Sequence, residues 1–444
     1  MKTQPRARIE SLDHEGRGVA HVEGKTIFID GGLPGELVEY QVRRDRRRYE
    51  LAELGAVVEP SSQRVTPRCP HFGVCGGCSM QHLAPQAQAA VKQRVLEDAL
   101  WHLARLRPEQ LLPPIHGAPW AYRCRARLSV RHVPRRGGVL VGFHERRSSF
   151  VADMDSCAVM PPEISALLLP LRRLIDGLSC HDRLPQIEVS VAESQGSLQH
   201  VLVIRHLLPL THDDLAALRD FAECRRVVIY LQPGGPNTAA LFHPPDAAPL
   251  AYELPDFDLR LRFLPTDFTQ VNHGVNRMLV RRAMALLAPQ RGERILDLFC
   301  GLGNFTLPLA RLGAIAVGVE GSAGLIERAR ANAAGNGLDS QCEFRVADLF
   351  EATPQSLAAY GACTKMLIDP PREGAVAVAK AIAAAVGSGG SAPQRIVYVS
   401  CNPATLARDA AVLVHEAGYR LRQAGIANMF PQTSHVESIA SFER

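Results

Sequence analysis

The chain has 444 residues, 46% hydrophobic and 21% charged, an ordinary globular composition with room for about three domains. No apolar run approaches the ~20 residues that cross a bilayer, and Met1-Lys2-Thr3-Gln4-Pro5-Arg6 lacks a signal peptide's apolar core, so a cytoplasmic location is expected, with no membrane partner. Net charge is only +5, so a surface for nucleic acid has to be local, and the 11 cysteines of a reducing compartment are read as free, catalytic or metal-bound.

The stretch 1–60 reads as a small all-β module. Short strands over 6–9, 19–22, 25–29 and 36–43 are separated by turns at Gly31-Gly32 and Pro34-Gly35. They predict a five-stranded, OB-like barrel. Gly16-Arg17-Gly18-Val19-Ala20 with Gly35-Glu36 resembles the TRAM domain, an RNA-binding barrel found on RNA-modifying enzymes. The run Arg43-Arg44-Asp45-Arg46-Arg47-Arg48 is a local patch, because 1–60 holds 10 basic against 11 acidic side chains. Alone, it fits a solvated strand end as well as a nucleic-acid contact.

The stretch 61–265 is expected to be an α+β central domain. An amphipathic helix is predicted over 89–106, with Val91, Val95, Leu96, Leu100 and Leu103 at helical spacing. Strands over 186–191 and 201–204 precede a helix near 212–222. The segment 61–150 carries 14 Arg and Lys against 4 Asp and Glu, which reads as a phosphate-facing surface. Cys69, Cys75 and Cys78 lie in a Pro/Gly-rich loop, and three thiols this close rarely serve packing. Four-thiolate sites suit zinc and iron–sulfur alike. Cys124 and Cys157 both follow as candidates for a fourth ligand.

From 266 to 444 the pattern is that of a doubly wound, Rossmann-like α/β domain. A strand over 293–299 leads into the turn Cys300-Gly301-Leu302-Gly303-Asn304 and a helix. Thr306 stands where a dinucleotide fingerprint has its third glycine, and Asp297 before the turn suits the cationic amino-acid end of S-adenosylmethionine (SAM) better than a pyrophosphate. Glu320 ends the next strand, placed for ribose hydroxyls, and Asp348 ends a third, placed for the adenine edge. A fourth strand runs into Asp369-Pro370-Pro371-Arg372, a stiff loop like those of base-directed methyltransferases. A fifth, over 396–399, ends at Ser400-Cys401-Asn402-Pro403. A thiol at the carboxyl end of a strand faces the ligand crevice of such a fold, although buried free cysteines are more often packing groups.

Phe268-Thr269-Gln270-Val271-Asn272, Asp297-x-Phe299-Cys300-Gly301-x-Gly303, Asp369-Pro370-Pro371-Arg372, Ser400-Cys401-Asn402-Pro403 and His435-Val436-Glu437 occur in that order. Together they resemble the RNA uracil-5-methyltransferase family across nearly the whole chain. The resemblance implies SAM as methyl donor, held by Gln270, Phe299, Asn304, Glu320, Asp348 and Asp369, with Cys401 as nucleophile on uracil C6 and Glu437 as base. Asp369 is expected to reach the uracil edge too. Phe268 is a candidate for stacking on a flipped base, with a core role as the competing reading. The resemblance also assigns a [4Fe–4S] cluster to Cys69, Cys75, Cys78 and Cys157, and leaves Cys124 to packing or RNA. With the TRAM-like front, it points to 23S ribosomal RNA, with no DNA partner and a monomeric enzyme. The same chemistry on transfer RNA or another ribosomal uridine is the nearest alternative. A nicotinamide-linked iron–sulfur enzyme and a non-catalytic RNA-binding protein are disfavoured by the missing third glycine and by the Cys401 and Glu437 pair.

Overall fold

A computed structural model describes residues 4–194 and 196–444. Met1, Lys2 and Thr3, half of the stretch read against a signal peptide, lie outside the described residues. No helix among those described is long and apolar enough to cross a membrane.

The first sheet has six strands, in the order Arg6–Arg8, Leu37–Asp45, Tyr49–Glu59, Lys25–Asp30, Gly18–Val22 and Ser11–Leu12, where five were expected. Strand Tyr49–Glu59 pairs with two neighbours yet buries only Ala52, so it carries almost no apolar alternation to read. Ile9, Ile27, Ile29 and Val38 fill the core. Glu36 is fully buried and accepts from Leu33 N at 2.9 Å and from Arg64 Nε at 2.6 Å and Nη2 at 2.7 Å. Burial pushes its carboxyl up, but the Arg64 guanidinium and the amides outweigh that and hold it below the usual range. This pair ties the first sheet to the segment that follows.

A second six-stranded sheet runs Ala240–His243, Val228–Gln232, Ser197–Arg205, Gln186–Ser194, Arg125–Val133 and Gly138–Gly142. Leu168 and Ile175 of helix Leu168–Asp176 and Leu218 of helix His212–Arg225 pack with Leu128, Val141 and Leu202. The basic excess is partly neutralised within the chain. Arg125 and Arg127 pair with Glu188, Arg136 with Glu145, and Arg146 and Arg147 with Asp30.

The third sheet has eight strands: Cys342–Val346, Ile315–Glu320, Arg294–Leu298, Lys365–Ile368, Arg395–Ser400, Glu437–Glu443, Arg420–Ala427 and Gln110–Leu111. Its first five are parallel. The chain builds outward from Arg294–Leu298, then returns to its other side at Lys365–Ile368. A crevice opens at the carboxyl ends of strands at such a reversal. Glu437–Glu443 lies antiparallel between Arg395–Ser400 and Arg420–Ala427. Helix Pro85–Ala104 and strand Gln110–Leu111, which the sequence places with the central region, join this body. Leu96 and Leu100 pack with Tyr398, Leu406 and Leu413, and Gln110–Leu111 extends the sheet beside Arg420–Ala427.

Candidate active site

The turn after Arg294–Leu298 is unusually tight. Phe299, Gly301 and Gly303 all have positive φ (62°, 56° and 100°). A side chain at 303 would also collide with Leu307, so glycine is required there twice over. The turn carries its amides across the head of the next strand. Gly301 N donates to Glu320 Oε2 at 3.3 Å and Ser322 N to Oε1 at 3.0 Å, which fixes the Glu320 carboxylate at the rim.

A cavity of about 710 Å³ opens above this turn. Gln270, Phe299, Asn304, Glu320, Asp348, Asp369, Cys401 and Glu437 all line it, so the eight residues that the resemblance places at the site meet in one space. The Phe299 and Phe350 rings meet edge to face at 5.7 Å. Asp348 is held by Phe350 N at 2.9 Å. Asn304 Oδ1 accepts from Tyr252 OH and Asn276 Nδ2, both at 2.9 Å. Phe268 lies at the wall and is 71% exposed, which removes the core reading of its ring.

Asp297 corrects the sequence reading. It does not line the cavity but is fully buried behind the turn, where Thr306 Oγ1 donates to Oδ2 at 2.5 Å and Oδ1 has no hydrogen-bond partner among the described residues. Burial pushes this carboxyl up to about 8 against the pull of Thr306, and Asp369 and Glu320 add to the rise. The Asp297 side chain shares a sheet face with Ile295, the face that helix Thr306–Arg311 covers, so it points under that helix.

Sheet register sets the thiol beside the acid. Ser400 pairs with Ser438 across the antiparallel strands. One step further along each strand brings Cys401 opposite Glu437, a spacing at which side chains meet. Ser438 Oγ donates to Ser400 O at 3.0 Å. Asn402 caps the helix Pro403–Ala411 through Ala404 N at 3.1 Å, and its Nδ2 reaches Arg372 O at 3.4 Å. The Pro-Pro loop and the cysteine turn are thus bonded to each other. Burial, then Glu437 and Asp369, raise the Cys401 thiol to about 12. Glu437, 4% exposed, is pushed well above the usual range by burial and by Asp369, and burial lifts Asp369 to about 7. The crevice therefore favours neutral groups until a positive charge enters it.

Tyr252, Thr269, Arg372, Phe430 and His435 also line the cavity. Thr269, Arg372 and His435 fall inside the motifs above, so position could have flagged them. Phe430 has no sequence signal beyond its nearness to His435, with which its ring packs at 5.4 Å.

A second, smaller pocket is walled by Cys69, Cys75, Cys78 and Cys157 with Phe72, Phe143, Met154, Val159 and Arg123. Cys124 does not line it, which separates the two candidates for the fourth thiol. Burial raises Cys78 to about 12 and also lifts Cys75 and Cys157. The four thiols in apolar walls fit a four-thiolate metal site, whose net negative charge the Arg123 guanidinium would offset. Among the described residues no three His, Cys, Asp or Glu side chains are already arranged as a ligand shell.

A doubly wound sheet with an acid-rimmed crevice at its reversal is a frame for a nucleotide-bearing cofactor, and the family match makes this one a SAM-dependent methyltransferase. Residues 122–444 match the tRNA (uracil-5-)-methyltransferase family and residues 3–54 the TRAM domain, and the chain belongs to that methyltransferase family. It is 62% identical to the 23S rRNA (uracil(1939)-C(5))-methyltransferase RlmD of Aromatoleum aromaticum over 99% of this chain and 100% of the relative. The protein of the same name from Burkholderia pseudomallei is 59% identical over 98% and 94%. The crystal structure of Pyrococcus abyssi tRNA (uracil-54, C5)-methyltransferase with S-adenosyl-L-homocysteine shares the fold, with a TM-score of 0.72, 24% identity and 99% of this chain covered.

Proposed function

We propose that the protein methylates C5 of uridine 1939 in 23S ribosomal RNA through a covalent bond from Cys401. The target is that named for relatives 59–62% identical over nearly full length. The observation that carries the chemistry is the meeting of Cys401, Glu437 and Asp369 with Glu320 and Asp348 in one cavity.

Gln270, Phe299, Asn304, Glu320, Asp348 and Asp369 would hold SAM, which supplies an electrophilic methyl group when bound. C5 of uracil is too electron-poor to accept it unaided. Cys401 Sγ gives up its proton to solvent in the open cavity and adds to C6, and the displaced π pair passes to C5 and the C4 oxygen. C5 would then bond to the methyl carbon as that carbon's bond to the donor sulfur breaks, the bonding pair leaving with S-adenosylhomocysteine. Glu437, ionised once a cation shares the crevice, takes the C5 proton. The C–H pair re-forms the C5–C6 double bond and the C6–S pair leaves with sulfur. Phe268, exposed at the mouth, would stack on the flipped base.

With 5-fluorouridine at the target, no C5 proton is present to remove and the adduct should persist. Wild-type protein is expected to migrate with the RNA on a denaturing gel, and Cys401→Ala is not. Methylation by Cys401→Ala would end the covalent reading. Cys69, Cys75, Cys78 and Cys157 are assigned a [4Fe–4S] cluster in the central region 61–265, between a barrel of residues 1–60 and the methyltransferase body 266–444. Since methyl transfer needs no electron, the cluster is read as structural. An anaerobic spectrum without the broad absorbance of iron–sulfide charge transfer, from protein containing zinc, would overturn that assignment.

A further inference from the structure

Between strands Arg420–Ala427 and Glu437–Glu443 the chain forms a loop, 428–436. It brings Phe430 and His435 to the cavity and delivers Glu437 to its wall. The loop is held from outside almost residue by residue. Asn428 N donates to Ile115 O at 2.8 Å. Lys92 Nζ, on the buried face of helix Pro85–Ala104, donates to Asn428 Oδ1 at 2.7 Å and to Phe430 O at 2.8 Å. Tyr122 OH donates to Pro431 O at 2.8 Å.

Gln432 is the centre of this attachment. It is fully buried and has a left-handed φ of 69°, a conformation that a residue with a Cβ keeps only where its surroundings impose it. Its N donates to Gln88 Oε1 at 2.8 Å, and its Oε1 accepts from Gln88 Nε2 at 2.9 Å. Its Nε2 donates to Pro119 O at 3.3 Å. Its O accepts from Ser79 N at 3.0 Å and Met80 N at 2.9 Å. Ser79 Oγ then accepts from Ser434 N at 2.9 Å. Ser79 and Met80 are the two residues that follow Cys78, so one short framework runs from the cysteine pocket to the acid of the crevice.

We propose that Ser79, Gln88 and Gln432 are positioning residues, a clamp through which the cysteine loop sets the place of Glu437. The inference rests on the reading of Glu437 as the base. Gln88 is fully buried, and its amide is shared among Met80 O, Leu83 O and Gln432 Oε1. Removing it leaves several buried polar groups unsatisfied, a cost the loop relieves by moving. A displaced base slows proton removal steeply, because reaction depends on near-contact geometry. The donor-side acids Glu320 and Asp348 follow other strands, so their hold on a ligand should not change. The clamp thus gives the cysteine loop a part in catalysis that involves no electron transfer.

The test compares full-length Gln88→Leu, Ser79→Ala, Ser79→Thr and Glu437→Gln enzymes on unmodified target RNA. Turnover, the fraction of enzyme in covalent adduct, the melting temperature and S-adenosylhomocysteine affinity are measured. Gln88→Leu and Ser79→Ala are expected to lose about tenfold or more in turnover and to accumulate adduct, as Glu437→Gln does. Their S-adenosylhomocysteine affinity should stay within about twofold of the parent. Ser79→Thr keeps the acceptor oxygen and should restore turnover. Clamp variants that turn over normally, or slow only in step with weaker ligand binding or lower melting temperature, overturn the clamp while a stalled Glu437→Gln leaves the base reading standing. Normal turnover by Glu437→Gln overturns the base reading itself.

Discussion

The crevice and the cysteine pocket both hold thiols pushed to about 12 by burial, Cys401 in one and Cys78 in the other. Their neighbours differ. Cys401 faces Glu437 and Asp369 across an open cavity of about 710 Å³, whereas Cys78 faces Cys75, Cys69 and Cys157 in an apolar wall. The same shift therefore accompanies a candidate nucleophile in one place and a candidate metal ligand in the other. A raised thiol says only that its charged form is disfavoured when alone. Whether a proton acceptor or a metal ion relieves it decides the chemistry.

The sharpest way to break this contrast is to delete each thiol. Cys401→Ala should lower methyl transfer by roughly 10⁴-fold or more, because the proposed mechanism has no other group to form the bond to C6. Its fold should persist, since Cys401 is only partly buried at a turn. Melting temperature and S-adenosylhomocysteine binding close to the parent's would confirm that the loss is chemical.

Next in size is the reactivity of the unliganded thiol. At about 12, Cys401 holds roughly a thousandfold less thiolate near neutral pH than a free cysteine at ~8.5. Mass-spectrometric rates of iodoacetamide labelling at Cys401 should be correspondingly slow. They should rise about tenfold per pH unit up to the group's own value. Labelling that levels off near pH 8 would show that the empty crevice already favours the thiolate.

Much of this contrast was readable before any coordinates. The run Ile396-Val397-Tyr398-Val399, each fully buried, marked the strand, and the turn glycines and strand-end acids marked the crevice. Motif position was enough because parallel strands align their carboxyl ends. Three features escaped. Helix Pro85–Ala104 was legible as amphipathic, but an apolar face does not name its partner, and it packs on a sheet whose strands lie some 300 residues away. An acid just before the turn reads as a ligand contact, but Asp297 lies on the sheet face under helix Thr306–Arg311, against Thr306. Gln432 carries no signal at all, since its role arises from Ser79 and Gln88, which are distant in sequence.

A third expectation concerns the pocket. Cys78→Ser replaces a soft ligand with a hard one in an apolar wall. It should reduce bound metal and lower the melting temperature by several degrees. Turnover should fall about tenfold, far less than for Cys401→Ala, because the deleted thiol acts only through the Ser79 and Met80 contacts to Gln432. A loss as large as that of Cys401→Ala, with the fold intact, would place the pocket in the chemistry itself.

The smallest effect separates the two regions by pH. Asp297 in the folded chain titrates near 8 and Asp369 near 7, whereas an unfolded aspartate titrates at ~3.9. A carboxyl held above its unfolded value binds its proton more tightly when folded. Its contribution is complete below ~3.9 and is lost as pH rises toward the folded value. Ligand-free protein should therefore lose melting temperature between pH 5 and 8 on the crevice side. Asp297→Asn, which cannot ionise, should flatten part of that slope by a few degrees. Cys78→Ser removes no carboxyl, so the part of the slope that Asp297→Asn flattens should remain in it. If Asp297→Asn leaves the slope intact, the buried carboxyl already has a partner for its charge.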